Sequence, residues 1–207
     1  MKIVSKYISI VILLVACSQQ ANKHIPAVIN GTISDDRFDK VYLLEQSTTG
    51  TWQVLDSTTI VNKQFVFTHL PSDCKQVFIR LGTKTPFVVF VSPASIQLTI
   101  PAKNVHETVV QGSASHDEYV SLKDSIQLLL HQRLRFYKDA IIAQNDGRQN
   151  DAQRLLQQYN TSKNNVFEFL QKQKGANPNS APLIYVIEMY KSYITDTEYT
   201  ALTTVLP

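Results

Sequence analysis

The sequence changes its period at Gly112. From about Ala27 to Gln111, short runs rich in β-branched and aromatic residues alternate with turn residues, the pattern of strands. The spacing predicts strands at Val28–Ile33, Lys40–Glu45, Trp52–Val61, Gln64–Thr68, Gln76–Leu81, Phe87–Val91, Ile96–Ile100 and Thr108–Gln111. Between them lie Ser34-Asp35-Asp36, Thr49-Gly50, Asn62-Lys63, Pro71-Ser72-Asp73, Gly82 and Pro93, residues that favour turns. Seven or eight strands so spaced imply a small antiparallel β-sandwich or barrel.

Beyond Gly112 the apolar residues recur at steps of three and four: Tyr119, Leu122, Ile126, Leu129, Leu130, Leu134, Tyr137 and Ile141. This is one helical stripe. Ser115 followed by Glu118 fits a capping box at its start, and Asn145-Asp146-Gly147 ends it. A second helix is expected from about Asp151 to Lys174, stopped by Gly175, with Ala152, Leu155, Leu156, Tyr159, Val166, Phe167 and Leu170 as its apolar face. Asn177-Pro178-Asn179-Ser180 reads as a turn that caps a third helix, with Pro182 tolerated in the first turn. That helix is apolar nearly all round and is expected to be largely buried. A short fourth helix, about Asp196–Val205, follows. Strands then helices make the fold class α+β: a sandwich or barrel over 27–112 and a module of three to four helices over 113–207.

The first residues carry a different signal. Met1 to Lys6 is a short basic start, and Tyr7 to Ala16 is almost wholly apolar. A membrane-spanning helix needs about twenty apolar residues, twice this run. Residues 1–16 therefore read as a secretory signal peptide. The segment ends Leu14-Val15-Ala16-Cys17, the pattern of a bacterial lipobox, which makes Cys17 the expected lipid-attachment residue. The alternative is an ordinary signal peptide with a chance cysteine. Several acyl chains on one residue anchor stably where a single chain is marginal. Residues 17–26 are polar and aperiodic, as a tether would be. The tether has no acidic run after Cys17, which favours the periplasmic face; the expected location is the cell envelope, at the outer membrane facing the periplasm.

Composition narrows the partners. The net charge is +3, and removing Lys2 and Lys6 with the leader lowers it to +1. A near-neutral chain lacks the electrostatic footprint of nucleic-acid binding. With 43% hydrophobic and 18% charged residues, bulk disorder is excluded.

Several motifs in the strand region resemble a known family. They are Gly31-Thr32-Ile33, Val41-Tyr42-Leu43, Asp56-Ser57-Thr58, Gln64-Phe65-Val66-Phe67, Gln111-Gly112-Ser113 and Asp117-Glu118-Tyr119. Together they resemble an uncharacterised domain of Bacteroidetes lipoproteins, the domain of unknown function numbered 4369. The resemblance implies a lipobox upstream, a helical segment with an Asn-Pro-x-Ser turn (here Asn177 to Ser180) and often a thioredoxin-like domain with a Cys-x-x-Cys pair. This chain has Asn62-Lys63-Gln64 where the family usually has a turn glycine, a place where asparagine also tolerates a left-handed backbone. It ends at Leu206-Pro207, about where the thioredoxin-like domain would start, and carries no Cys-x-x-Cys. The redox activity of longer relatives is therefore not carried over.

Chemistry-bearing motifs are sparse. Cys74 is the one cysteine besides Cys17, and Asp73 beside it disfavours a thiolate. His116-Asp117-Glu118 could suggest a metal site, but consecutive helical residues point about 100° apart and do not converge on one ion. The five histidines, His24, His69, His106, His116 and His131, show no ligand spacing. No nucleophile elbow and no phosphate loop is present. Asn30-Gly31-Thr32 and Asn160-Thr161-Ser162 match the N-glycosylation pattern. Asp56-Ser57-Thr58 and Asp124-Ser125-Ile126 match a short O-glycosylation pattern of some Bacteroidetes. Arg133, Arg135 and Lys138 lie against the Leu-rich stripe of the first helix, where they are either a solvated basic face or part of a groove that docks a partner.

The expectation is thus a non-enzymatic binding or positioning module with no catalytic residue, metal or cofactor. It is held to the bilayer through acylated Cys17 and partnered by an envelope protein. The competing readings are an accessory to a thioredoxin-like disulfide reductase, an envelope hydrolase with paired carboxylates, and a truncated relative of a redox protein.

Overall fold

The computed structural model describes residues 28–204 apart from 35, 36, 48, 69, 71–75, 93, 94 and 102. The leader, Cys17, the tether, His24, His69 and Cys74 lie outside the described residues. The strands are β1 (Val28–Ile33), β2 (Lys40–Gln46), β3 (Trp52–Thr59), β4 (Gln64–Phe67), β5 (Gln76–Leu81), β6 (Phe87–Phe90), β7 (Ser95–Ile100) and β8 (Val109–Gln111). They form two four-stranded sheets, ordered β4-β1-β7-β8 and β3-β2-β5-β6. One pairing departs from the antiparallel expectation: β1 and β7 run parallel, Ile29 opposite Ile96 and Gly31 opposite Leu98.

The core between the sheets comes from strict alternation. Ile29 and Ile33, Ile96, Leu98 and Ile100, and Phe65 and Phe67 face inward from the first sheet. Val41 and Leu43, Val77, Ile79 and Leu81, and Phe87 and Val89 face them from the second. Gly31 occupies an inward position of β1 opposite Phe65 of β4. A Cβ there would stand only 2.0 Å from the Phe65 ring. The glycine is therefore the space into which that ring packs.

The second sheet is buried on both faces. Leu44, Phe78 and Val88 are direct cross-strand neighbours on its outer side, and Phe90 lies beside them. This explains the unbroken apolar runs Val77-Phe78-Ile79 and Phe87-Val88-Val89-Phe90, which alternation alone would not require.

The covering layer is helical. It comprises α1 (Ala114–Asn145), α2 (Gln149–Thr161), α3 (Asn165–Ala176), α4 (Ala181–Met189) and α5 (Asp196–Thr203). Gly112 makes the switch from strand to helix, at φ 86°, with its Cα so close to the Ser95 carbonyl that a Cβ would clash at 2.4 Å. The cap of α1 is Ser113, whose side chain accepts from the His116 N–H, and not the expected Ser115. Ser115 sits inside the first turn, and Glu118 instead accepts from the Ser180 hydroxyl at 2.6 Å. The expected single helix from Asp151 to Lys174 is broken by a 3₁₀ turn at Ser162–Asn164. There Thr161 and Ser162 donate their hydroxyls back to the carbonyls of Gln157, Gln158 and Tyr159, a bonding mode that bends helices. Gly175 lies within the last turn of α3, which stops before Pro178. Ser180 caps α4 as expected, accepting from the Leu183 N–H at 3.1 Å. Thr195 and Glu198 form a reciprocal capping box on α5.

The helical core joins Leu122 and Ile126 of α1 to Val166, Leu170, Leu183, Val186, Ile187 and Leu202. Only the first half of the α1 stripe reaches it. Farther along, α1 packs on α2 through Ala140, Ala143 and Ala152, while Leu134, Tyr137 and Ile141 are exposed by 40–47%. In α4 the all-round apolar pattern is half buried: Leu183, Val186 and Ile187 face inward, and Ile184 and Met189 face out.

Candidate functional site

Helix α1 starts against the edge strand β6. The Ser113 hydroxyl donates to the Phe90 carbonyl at 2.7 Å, and the Phe90 N–H donates to His116 Nδ1 at 3.3 Å. Ser92 lies within 3.2 Å of Ser113 and 3.4 Å of Ser115, hydroxyl to hydroxyl. The first turn of the helix thus satisfies backbone groups that an edge strand would leave open. Because Nδ1 accepts, the imidazole is the Nε2–H tautomer. Burial pushes the His116 pKa down to about 4; Asp117 opposes this and Lys123 adds to it.

Next to this joint the rings of Phe90, Tyr119 and Tyr185 pack with centroids 5.2–5.9 Å apart. Burial is the main cause that pushes the Tyr119 phenol up to about 12. A groove of about 380 Å³ runs along the junction, walled by Phe87, Val88, His116, Tyr119, Lys123 and Met189.

A larger cleft lies further along α1. It has a volume of about 640 Å³ and lies open to solvent between α1, α2 and the turn at Tyr190–Tyr193. Leu130, Arg133 and Leu134 come from α1, Tyr159 from α2, and Tyr190 and Tyr193 from the turn. The i, i+3, i+4 spacing of the α1 residues puts them on one face. The Arg133 guanidinium lies over the Tyr159 ring, 4.7 Å from its centroid. Its Nε is buried without a hydrogen-bond partner. Among the described residues, no carboxylate forms an ion pair with it. Tyr190 and Tyr193 face each other with centroids 5.9 Å apart.

The family model of a domain of unknown function, DUF4369, matches residues 27–119. This stretch of the chain is a DUF4369 domain. No curated protein and no solved structure matches the chain. The DUF4369 domain takes in both sheets and the start of α1, so it contains the Ser113–His116–Phe90 joint. The 640 Å³ cleft is built from residues 127–193, beyond the domain.

The residues singled out by sequence fall into separate places. His116, Asp117 and Glu118 diverge: the first is buried on Phe90, the second is exposed, and the third bonds Ser180. Among the described residues, no group of three or more His, Cys, Asp or Glu is placed to hold a metal. Arg133, Arg135 and Lys138 also diverge: Arg133 turns into the cleft, Arg135 pairs with Asp139 at 3.5 Å, and Lys138 is exposed. Ser125 donates to the Ser121 carbonyl within α1. Tyr159, Tyr190 and Tyr193, which complete the cleft, were not legible as site residues, because only the α1–α2 hairpin and the turn after α4 bring them to Arg133. Among the described residues, no helix is long and apolar enough to cross a membrane.

Proposed function

We propose that this chain is a lipid-anchored, non-enzymatic binding module of the cell envelope. The leader ending Leu14-Val15-Ala16-Cys17 supports the anchor. Acylated Cys17 holds the chain to the bilayer, residues 18–26 form the tether, the DUF4369 domain follows, and the helical module carries the binding surface. Confinement to a plane raises the effective concentration of the module towards other membrane-held partners.

The observation that carries the binding half is the cleft around Arg133. Its walls combine one guanidinium, one imidazole (His131), one carboxamide (Gln127), three tyrosine rings and two leucines. Binding sites have this composition, mostly apolar with a few convergent polar groups. The exposed Leu134, Tyr137 and Ile141 beside the cleft extend it with an apolar surface of the kind that marks an interaction site.

The test is metabolic labelling with an alkyne fatty acid, followed by membrane fractionation and in-cell crosslinking, with Cys17→Ala as control. The expected outcome is label and membrane residence for the native chain and loss of both in the variant. Membrane residence of the variant overturns the anchor. Capture of a Cys-x-x-Cys protein by the native chain, lost in the variant, would replace this reading with an accessory role to a disulfide reductase.

A further inference from the structure

Among the described residues, Arg133 has no counter-ion. Charged side chains are rarely buried unless paired, because taking the charge out of water costs free energy that a partner must offset. The Tyr159 ring compensates one face of the guanidinium, 4.7 Å away. Nε is buried and makes no hydrogen bond. The neighbouring basic residue shows the contrast, since Arg135 has its carboxylate in Asp139 one helical turn on. The cleft that Arg133 enters supplies apolar walls at Leu130, Leu134, Tyr190 and Tyr193.

We propose that the cleft binds a small amphiphilic carboxylate, with its carboxylate on Arg133 and its apolar body against the leucine and tyrosine walls. The proposal rests on the binding-module reading and names its ligand class. A guanidinium presents two parallel N–H donors that match the two oxygens of one carboxylate. Arg133 is the one arginine or lysine in the lining, and a single fixed positive charge suits a monoanion better than a phosphate dianion. The volume of about 640 Å³ falls within the range of small-ligand sites, roughly 300–1,000 Å³. A charge-assisted bidentate contact in such a site changes affinity by about tenfold to a hundredfold.

The experiment is isothermal titration calorimetry with ligand-detected NMR on the full chain as purified from cells, held in lipid nanodiscs where it fractionates with membranes, with empty discs as blank. The probe is 3-phenylpropionate, and 3-phenylpropanamide is the uncharged control of the same shape. The expected result is saturable binding of the acid with a Kd below about 1 mM. Binding is expected to be at least about tenfold weaker for the amide and for the variants Arg133→Gln and Leu134→Glu. Leu134 is 47% exposed at the cleft, so Leu134→Glu sets a negative charge in the cleft wall, where it repels an anionic ligand, without entering the core. It therefore decides the question even if Arg133→Gln, having lost its stack on Tyr159, fails to fold. Equal binding of acid and amide, undiminished binding by Leu134→Glu, or no saturable binding of the acid overturns the proposal. Absent acid binding in a chain that still fractionates with membranes through Cys17 refutes the ligand alone. Acid binding in a chain that never reaches a membrane refutes the anchor alone.

Discussion

Lowering the pH should loosen the joint between α1 and β6, and His116 sets the size of the effect. The residue is 6% exposed, and Nδ1 holds the Phe90 N–H at 3.3 Å. Protonating Nδ1 would set a donor against a donor and bury an unpaired charge. The folded pKa is therefore pushed down to about 4, from an ordinary value of 6.5. A base with a depressed folded pKa stays neutral in the folded state while the unfolded chain takes up a proton. Stability from this group is complete above about pH 6.5 and is lost as pH falls from there towards 4. Integrating the linkage gives a loss of about 2 kcal/mol by pH 5 and about 3 kcal/mol by pH 4. The assay is urea denaturation from pH 7.5 to 4, native chain against His116→Gln. The glutamine keeps an acceptor for Phe90 but does not titrate, so the difference between the curves isolates His116 from the carboxylates. The difference should narrow by about 2–3 kcal/mol in favour of the variant, a relative midpoint shift of roughly 1 M urea. A pH-independent difference, or an NMR titration of His116 near 6.5, would refute the reasoning.

Two further substitutions test local claims. The hairpin between β3 and β4 closes on Asn62 and Lys63, both at positive φ (50° and 64°), with Val61 and Gln64 exchanging hydrogen bonds of 2.9 Å. Lys63→Gly removes left-handed strain that outweighs the added flexibility of the unfolded chain. It should raise the free energy of unfolding by about 0.5 kcal/mol, and a lowered value would contradict this. Ser180→Ala deletes the cap of α4 and the hydrogen bond from Ser180 to the Glu118 carboxylate, at a cost of about 1–3 kcal/mol by chemical denaturation. Glu118→Gln, which keeps an acceptor for Ser180, should cost less.

The sequence alone was enough to locate the elements. Runs rich in β-branched and aromatic residues, bounded by turn residues, marked each described strand to within two residues, because both signals are local. The helical stripe, the Ser180 cap and the Asn62–Lys63 turn were visible for the same reason: each depends on bonds or packing within a few residues. Two sequence expectations failed where two local solutions competed. Ser113 and Ser115 are both able caps, and the Phe90 carbonyl, far away in sequence, selects Ser113. Nothing in the period of residues 151–174 shows the 3₁₀ break at Ser162, where backbone-bonding hydroxyls act instead of apolar spacing.

The parallel β1–β7 pair and the second buried face of one sheet come from contacts between distant segments, and so does the fate of the α1 stripe. Its residues look alike from Leu122 to Ile141, yet Leu122 and Ile126 meet α3 and α4 while Leu134, Tyr137 and Ile141 meet solvent. Arg133 belongs to the same class of result. By sequence it is one of three basic residues on a helix. Tertiary packing alone lays it on Tyr159 and faces it with Tyr190 and Tyr193, because the walls of its cleft come from three separate elements.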